Sequence, residues 1–491
     1  MKDGALEPAF QRWLRRHGVR HAGLRFESAP GRGVYGVADY DIEAGSVVLA
    51  VPKAAMLTRQ NAREADALHA LLEEGLPSVE VLGLAVALER AAGRKSSWQP
   101  YLHSLPPFEP LPLLWSASEL RLLEGTGLDE SSRRRKRRLA DNYRSAAEVW
   151  TGSTPLPSLE EYLHASTLAS SRAFEVDGLH GEGLLPLCDM LNHKAALVPR
   201  HGEDDDDQVE EGDGRLLRDL TLRIPPAPGD EEEDGDDEEE DGDDEEEDGD
   251  DEEQDGDDEE EDGDDEEQDG SEAGLVCTAR ALRAGDEACH TYGCLGNWEL
   301  LSGYGFTLEN NPFDTAVLEW RHVVRAAEKV LGGRRARRGL AALRQKDSGA
   351  LARPLVFDRR GMPPPTLSSQ LKELGHKALT EGVFHGGDLG LCANPTELSE
   401  SMLAHAVAAQ LKTYRSDQDE APPPSKRRRE GEEGAAGRGL GAVARRMHAA
   451  RLVRGEIAIW RTTLQGGREL DGRELAAAQA GAAARRARLE S

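Results

Sequence analysis

The sequence predicts an α+β protein in two parts: a β-containing N-terminal portion interrupted by helices, followed by an all-α C-terminal portion. Three observations carry this. Short β-branched or alternating runs occur at residues 45–52, 220–224 and 275–279. Helix-period apolar spacing occupies 66–92 and 160–174 between them. Past residue 314 the pattern turns helical over 316–346, 366–382, 396–413 and 439–464, rich in Ala, Leu and Arg.

In chain order, residues 6–20 alternate apolar and basic side chains at helical spacing and predict a short leading helix. Gly31, Gly33 and Gly36 then fall at the spacing of a dinucleotide-binding fingerprint, which needs a helix next. The stretch that follows, Gly45-Ser46-Val47-Val48-Leu49-Ala50-Val51-Pro52, reads as a strand, so that match is rejected. The glycines instead mark a turn between strands. They serve either the turn alone or the close approach of backbone groups to a ligand.

Leu68, Leu71 and Leu72, then Val81, Leu82, Leu84, Ala85 and Leu88, predict helix. Ser116 and Glu119 form a capping box that opens another. The basic run 133–138 reads as a solvated helix face, and 152–158 breaks the helix. The helical stretch 160–174 ends in Ser171-Arg172-Ala173-Phe174, where Arg172 is expected to pair with a carboxylate of the protein itself before one of a ligand.

Two later stretches set polar groups beside Gly and apolar residues. The apolar run 184–193 ends in Asp189, Asn192 and His193. Alone, these are ordinary local hydrogen-bonding residues. The stretch 290–306 repeats the habit, with His290, Tyr292, Tyr304 and Phe306.

The formal net charge of −33 on 491 residues belongs to one segment: residues 230–272 hold 34 acidic and no basic residues, leaving a near-neutral body. General attraction to nucleic acid therefore has no support from charge. Glycine recurs every seven residues from Gly235 to Gly270, but no position is apolar, so there is no coiled-coil seam to bury. The tract is predicted to stay disordered. It is either inert repeat expansion or a lure for basic partners such as ribosomal proteins or histones. Leu220, Leu222 and Ile224 on one side and Leu275, Cys277 and Ala279 on the other alternate as half-buried strands, predicting a hairpin with the tract as its tip.

Five cysteines in this length suit a reducing compartment. Cys289 and Cys294 have no second pair at zinc-site spacing, and no metal is predicted. No apolar run reaches membrane-spanning length, and the start is neither signal nor transit peptide. Lys426-Arg427-Arg428-Arg429, in the polar insert 416–439, is either a nuclear import signal or plain solvated sequence.

The order of these pieces resembles the SET-domain protein-lysine methyltransferases, in the class typified by the Rubisco large-subunit methyltransferase. The matching pieces are Gly31-Arg32-Gly33-Val34, the 44–53 strand, Trp98-Gln99-Pro100-Tyr101, Trp115-Ser116, Ser171-Arg172-Ala173-Phe174, the run 185–193, His290-Thr291-Tyr292-Gly293 and Tyr304-Gly305-Phe306. Together they span 25–315 in the family's order. The wording of the 290–300 stretch is closest to the nuclear and cytosolic branch acting on ribosomal proteins and transcription factors. The resemblance implies a leading helix at 1–24 and a split SET domain at 25–312, with a helical insert at about 60–170 and the acidic loop at about 225–274. A helical substrate-binding domain then follows at 313–491.

It implies S-adenosylmethionine as cofactor, held by Pro30, Gly31, Arg32, Arg172, Asn192, His193 and Tyr292. Tyr292 is the implied catalytic residue, and Asp189, Tyr304 and Arg172 face the substrate. Val176 stands where some members carry a further basic substrate contact, which leaves the peptide preference open. The implied protein is a monomer in the nucleus or cytoplasm, acting on a basic ribosomal or nuclear protein and binding neither nucleic acid nor membrane. Two alternatives stand beside lysine transfer: a histidine methyltransferase of the same fold, and a catalytically silent interaction protein.

Overall fold

The computed structural model describes residues 6–29, 33–195, 219–225, 273–347, 355–380, 395–414 and 436–464. The acidic tract, the tetrabasic stretch and the triplet Pro30, Gly31 and Arg32 lie outside the described residues. Helix α1 (Pro8–Arg16) starts with proline in its first turn, where no backbone N–H is needed. Its Phe10, Trp13 and Leu14 share one face and are buried, with the Trp13 ring against Trp98 and Tyr101.

Strands β1 (Arg20–His21), β2 (Leu24–Ala29), β3 (Gly33–Ala38), β4 (Val47–Pro52) and β5 (Leu57–Thr58) follow. β2 and β3 pair antiparallel from Leu24↔Ala38 to Ala29↔Gly33, so Gly33 and Gly36 lie within a strand rather than in the turn the sequence suggested. Gly33 takes φ +72, which a residue with a side chain rarely adopts.

The helical insert contains α2 (Ala65–Glu73), α3 (Ser78–Ala92), α4 (Gln99–Ser104), α5 (Ala117–Leu120), α6 (Leu128–Val149) and α7 (Leu159–Arg172). The Ser116–Glu119 capping box forms, and Ser158 with Glu161 caps α7 in the same way. Close packing of α3 on α7 depends on Gly83, where a Cβ would stand 2.9 Å from the Ser166 hydroxyl oxygen. The basic run on α6 departs from a purely solvated face. Arg134, Lys136 and Arg137 are exposed. Arg135, however, donates to the Ser302 carbonyl at 3.3 Å, and Arg138 lies 3.6 Å from the buried Glu80.

After α7 the chain forms β6 (Ala173–Asp177) and β7 (Gly181–Leu184), and β5-β7-β6 makes one small sheet. Val176 is buried there rather than presented at a surface. β8 (Leu220–Arg223) pairs antiparallel with β9 (Ala273–Thr278), as the alternation predicted, in the sheet β1-β4-β9-β8. β10 (Glu287–Ala288) joins the sheet β10-β3-β2, and α8 (Asn297–Tyr304) follows.

The C-terminal part is not all-α. β11 (Thr315–Leu318) pairs antiparallel with β12 (Leu355–Asp358) over four residues each. Seven of these eight residues are buried. Each strand holds three apolar residues and one polar one, buried on both faces, so neither shows a period-2 alternation. The helices α9 (Trp320–Leu331), α10 (Gly333–Lys346), α11 (Pro365–Thr380), α12 (Pro395–Leu411) and α13 (Ala436–Leu464) occupy the remainder of the predicted helical stretches. Gly332, at φ +80, separates the first two.

One apolar core collects residues from Phe10 to Ala288, and a second those from Ala316 to Trp460. A third, smaller cluster joins the two parts: Trp115, Leu120, Leu123 and Leu128 of the insert and Trp298 and Leu301 of α8 meet Ala449 and Leu452 of α13.

Candidate active site

The two polar-ended stretches come together in space. His193 and His290 form an isolated parallel bridge. The His290 N–H donates to the Asn192 carbonyl at 2.9 Å, and the Lys194 N–H to the His290 carbonyl at 3.1 Å. Segments about a hundred residues apart in sequence are thus joined main chain to main chain, and side chains add to this. The Tyr292 N–H donates to His193 Nδ1 at 3.0 Å, which requires that nitrogen to be unprotonated. The Tyr292 hydroxyl donates to the Leu191 carbonyl at 2.9 Å.

Around this crossing the rings assemble. Tyr292 stacks on Tyr304 with centroids 4.6 Å apart and planes 28° apart, and lies 4.9 Å from the His193 ring. Phe306 closes the group at 6.1 Å from His193 and 6.3 Å from Tyr304. Burial pushes the Tyr292 phenol above its ordinary pKa; Arg172 opposes this, while Tyr304, Asp189 and Glu109 reinforce it. The phenol form of Tyr292 is thus favoured over the phenolate.

Behind the tyrosines lies a charged network. Arg172, the last residue of α7, reaches Glu109 at 2.6 Å and donates to the Asp189 main-chain carbonyl at 2.5 Å. Its internal pairing is the one the sequence favoured. Burial works against the Arg172 charge, but Glu109 and Asp189 outweigh it and hold the guanidinium above its ordinary pKa. The Asp189 side chain has no exposed surface and accepts the Tyr101 hydroxyl at 2.8 Å. Burial raises its carboxyl to about 6 against the pull of Arg172 and the Tyr101 hydroxyl. Its Oδ1 atom is buried without a hydrogen-bond partner. Glu109 carried no signal of this role in the sequence, and Tyr101 stood out there only as part of the resembling motif at 98–101, with no role attached.

Asn192 Nδ2 donates to Glu287 Oε1 on β10 at 2.7 Å, a second contact the sequence did not expose. The sites brought together are thus Arg172, Asp189, Asn192, His193, Tyr292 and Tyr304. Asn192, His193, Tyr292, Tyr304 and Phe306 keep partial exposure between buried flanks such as Leu191, Leu295 and Gly305. An amide and a carboxylate side by side, next to a row of aromatic faces, suit a ligand carrying charges of both signs and a cationic centre. Among the described residues no group of three or more His, Cys, Asp or Glu is placed to hold a metal ion. A cavity of about 610 Å³ lies elsewhere, lined by Phe108, Leu114, Trp115 and Leu163 of the insert and Arg445 of α13.

No protein-family model matches the chain. The chain is 25% identical over 326 residues to the N-lysine methyltransferase setd6 of Danio rerio, covering 60% of this chain and 56% of that protein. It is 23% identical over 289 residues to the ribosomal lysine N-methyltransferase set10 of Schizosaccharomyces pombe, covering 58% and 41%. The chain thus spans about half the length of the curated relatives it matches. Its fold is that of the SET domain of LSMT bound to lysine and AdoHcy, with a TM-score of 0.56 at 16% identity over 94% of this chain and 91% of that one.

Proposed function

We propose that this chain, similar to SET-domain lysine methyltransferases and sharing the LSMT fold, is an S-adenosylmethionine-dependent protein-lysine N-methyltransferase. The observation that carries this reading is the main-chain crossing at His193 and His290, which sets Tyr292 against the Leu191 carbonyl. The relatives named as lysine methyltransferases and the LSMT structure holding lysine and AdoHcy support it.

On this reading Asn192, His193 and Tyr292 hold the cofactor, with Pro30, Gly31 and Arg32 completing the site as the resemblance implies. Bound S-adenosylmethionine supplies an electrophilic methyl group. The chain's own part is to orient and desolvate. Aligning a nitrogen lone pair with a bond to be broken is worth about 7–11 kcal/mol in favourable cases. The stacked rings of Tyr292 and Tyr304 wall the passage for the lysine side chain. Exclusion of water from that passage would disfavour the ammonium form and lower the amine pKa from about 10.4. The Tyr292 hydroxyl proton is committed to Leu191, leaving its oxygen lone pairs as acceptors. Fixed dipoles of this kind act on the transition state without reorganising.

Arg172 and Asp189 take positioning roles here: their charges are turned on Glu109 and Tyr101, behind the rings. We assign the SET unit to residues 25–312 and the substrate-docking unit to 313–491, with a monomer acting on a basic protein. Among the described residues no helix is long and apolar enough to cross a membrane. A nuclear or cytoplasmic site of action fits a ribosomal or nuclear target.

The test is incubation with methyl-labelled S-adenosylmethionine and an extract of the source organism, followed by mass spectrometry of the labelled site. Label on a lysine supports the reading. Label on a histidine replaces it with transfer to imidazole, and no label points to a silent interaction protein.

A further inference from the structure

The helix α13 meets the SET part at Thr307, just past the aromatic wall. Every polar group of Thr307 is taken by this helix. The Thr307 N–H donates to His448 Nδ1 at 3.2 Å, and the Thr307 hydroxyl lies 2.9 Å from the same nitrogen. Arg451 Nη1 donates to the Thr307 carbonyl at 2.8 Å. Thr307 is 4% exposed.

The neighbouring residue is gripped from the opposite side. Asn297, the first residue of α8, accepts the Leu308 N–H at 2.7 Å and donates to the Leu308 carbonyl at 3.0 Å. Its own amide groups are fixed by Asp314 at 2.8 and 2.9 Å. Ala449 and Leu452 of α13 pack on Trp298 and Leu301 of α8 in the same cluster. Tyr304, Gly305 and Phe306 immediately precede the two gripped residues. Gly305 takes φ +81 and ends α8, so the direction in which Phe306 leaves is set by what holds Thr307.

We infer that His448 and Arg451 are positioning residues for the proposed methyl transfer, holding the Tyr304–Phe306 wall in place against Tyr292 through Thr307. The inference rests on the reading of Tyr292 and Tyr304 as the lysine passage. Physically, it makes the C-terminal lobe part of the reacting geometry. A wall segment loosened by an ångström loses alignment, which can cost on the order of 10²-fold in rate without loss of binding. Burial and the adjacent Arg451 charge lower the His448 pKa to about 4, in keeping with an imidazole that accepts from Thr307.

The experiment uses the full chain with His448→Leu, His448→Asn, Arg451→Met and, as a control on the exposed side of the same helix, Arg446→Ala. Hydrogen exchange by mass spectrometry is read on peptides covering 303–308 and, for comparison, 81–88. Turnover is read with labelled S-adenosylmethionine and a ribosomal-subunit preparation. Expected are exchange faster by about fivefold at 303–308 alone and turnover lower by about tenfold, with KM for S-adenosylmethionine within about twofold. His448→Asn, which keeps an acceptor near the Nδ1 position, restores both, and Arg446→Ala changes neither.

Exchange at 303–308 that is unchanged in His448→Leu and Arg451→Met, or raised equally at 81–88, overturns the inference. So does parental turnover in a folded His448→Leu. If the parent chain transfers no methyl group while the exchange pattern holds, the activity reading fails and the coupling between α13 and Thr307 stands.

Discussion

Tyr292 and Tyr304 stack 4.6 Å apart although twelve positions separate them, and the inner ring is pinned by its hydroxyl to the Leu191 carbonyl. One tyrosine therefore has its oxygen fixed on a main-chain carbonyl, while the other is the last residue of α8, just before the loop that carries Phe306. This asymmetry orders the consequences.

Tyr292→Phe keeps the stack and removes the hydroxyl. Methyl transfer should fall by on the order of 10²–10³-fold, the cost of losing one preorganised polar group at a reacting centre. Cofactor affinity measured by calorimetry should stay within about threefold. Turnover at the parental rate would remove Tyr292 from the chemistry.

Arg172→Met leaves Glu109 and Asp189 facing each other without their shared cation. Removing one member of a buried charge network costs about 3–5 kcal/mol. Denaturant unfolding should show that loss, and the double change Arg172→Met with Glu109→Gln should recover part of it. Equal stability of parent and single variant would mean the network is not coupled.

Glu287→Ala releases the Asn192 amide without opening the core, since Glu287 sits on the two-residue edge strand β10. Losing one charge-assisted hydrogen bond of about 1.5 kcal/mol corresponds to roughly a tenfold weaker Kd for S-adenosylmethionine. The melting temperature should barely move. An unchanged Kd would mean that Asn192 needs no such support.

The pH dependence of stability has opposed parts. The His448 pKa is lowered to about 4 in the folded chain, so below about 6.5 the unfolded chain binds the extra proton and stability falls as pH drops toward 4. Asp189 and Asp314, both raised to about 6 by burial, bind protons earlier in the folded chain and favour it over the same interval. His448→Asn removes only the first effect. Its stability relative to the parent should rise between pH 7.5 and pH 5 in denaturant titrations. A difference that stays flat or falls would show that His448 does not titrate as its surroundings dictate.

Much of this was legible beforehand where the signal is local. The capping box at Ser116 and Glu119 and the β8–β9 pair each follow from spacing within a few residues or from matched alternation. The pairing of β11 with β12 was not, because three adjacent apolar residues buried on both faces carry no strand period. Asp189 was expected to face substrate, yet its side chain has no exposed surface. A carboxylate at the end of an apolar run reads the same whether it points to a cleft or into the core.

By itself the sequence determined most of the helices, the β8–β9 strands, a capping box, the two polar-ended stretches at 184–193 and 290–306, and the confinement of excess charge to a single tract. These are properties of neighbouring residues, fixed by backbone sterics and by the period of apolar side chains. Only the tertiary structure decided that Glu109 neutralises Arg172, that Tyr101 holds Asp189, that Glu287 holds Asn192, and that α13 grips Thr307. Those partners lie 63, 88, 95 and 144 positions apart. At such separations the choice is made by which surfaces the packed helices and sheets bring within hydrogen-bonding reach, and no pattern along the chain records it.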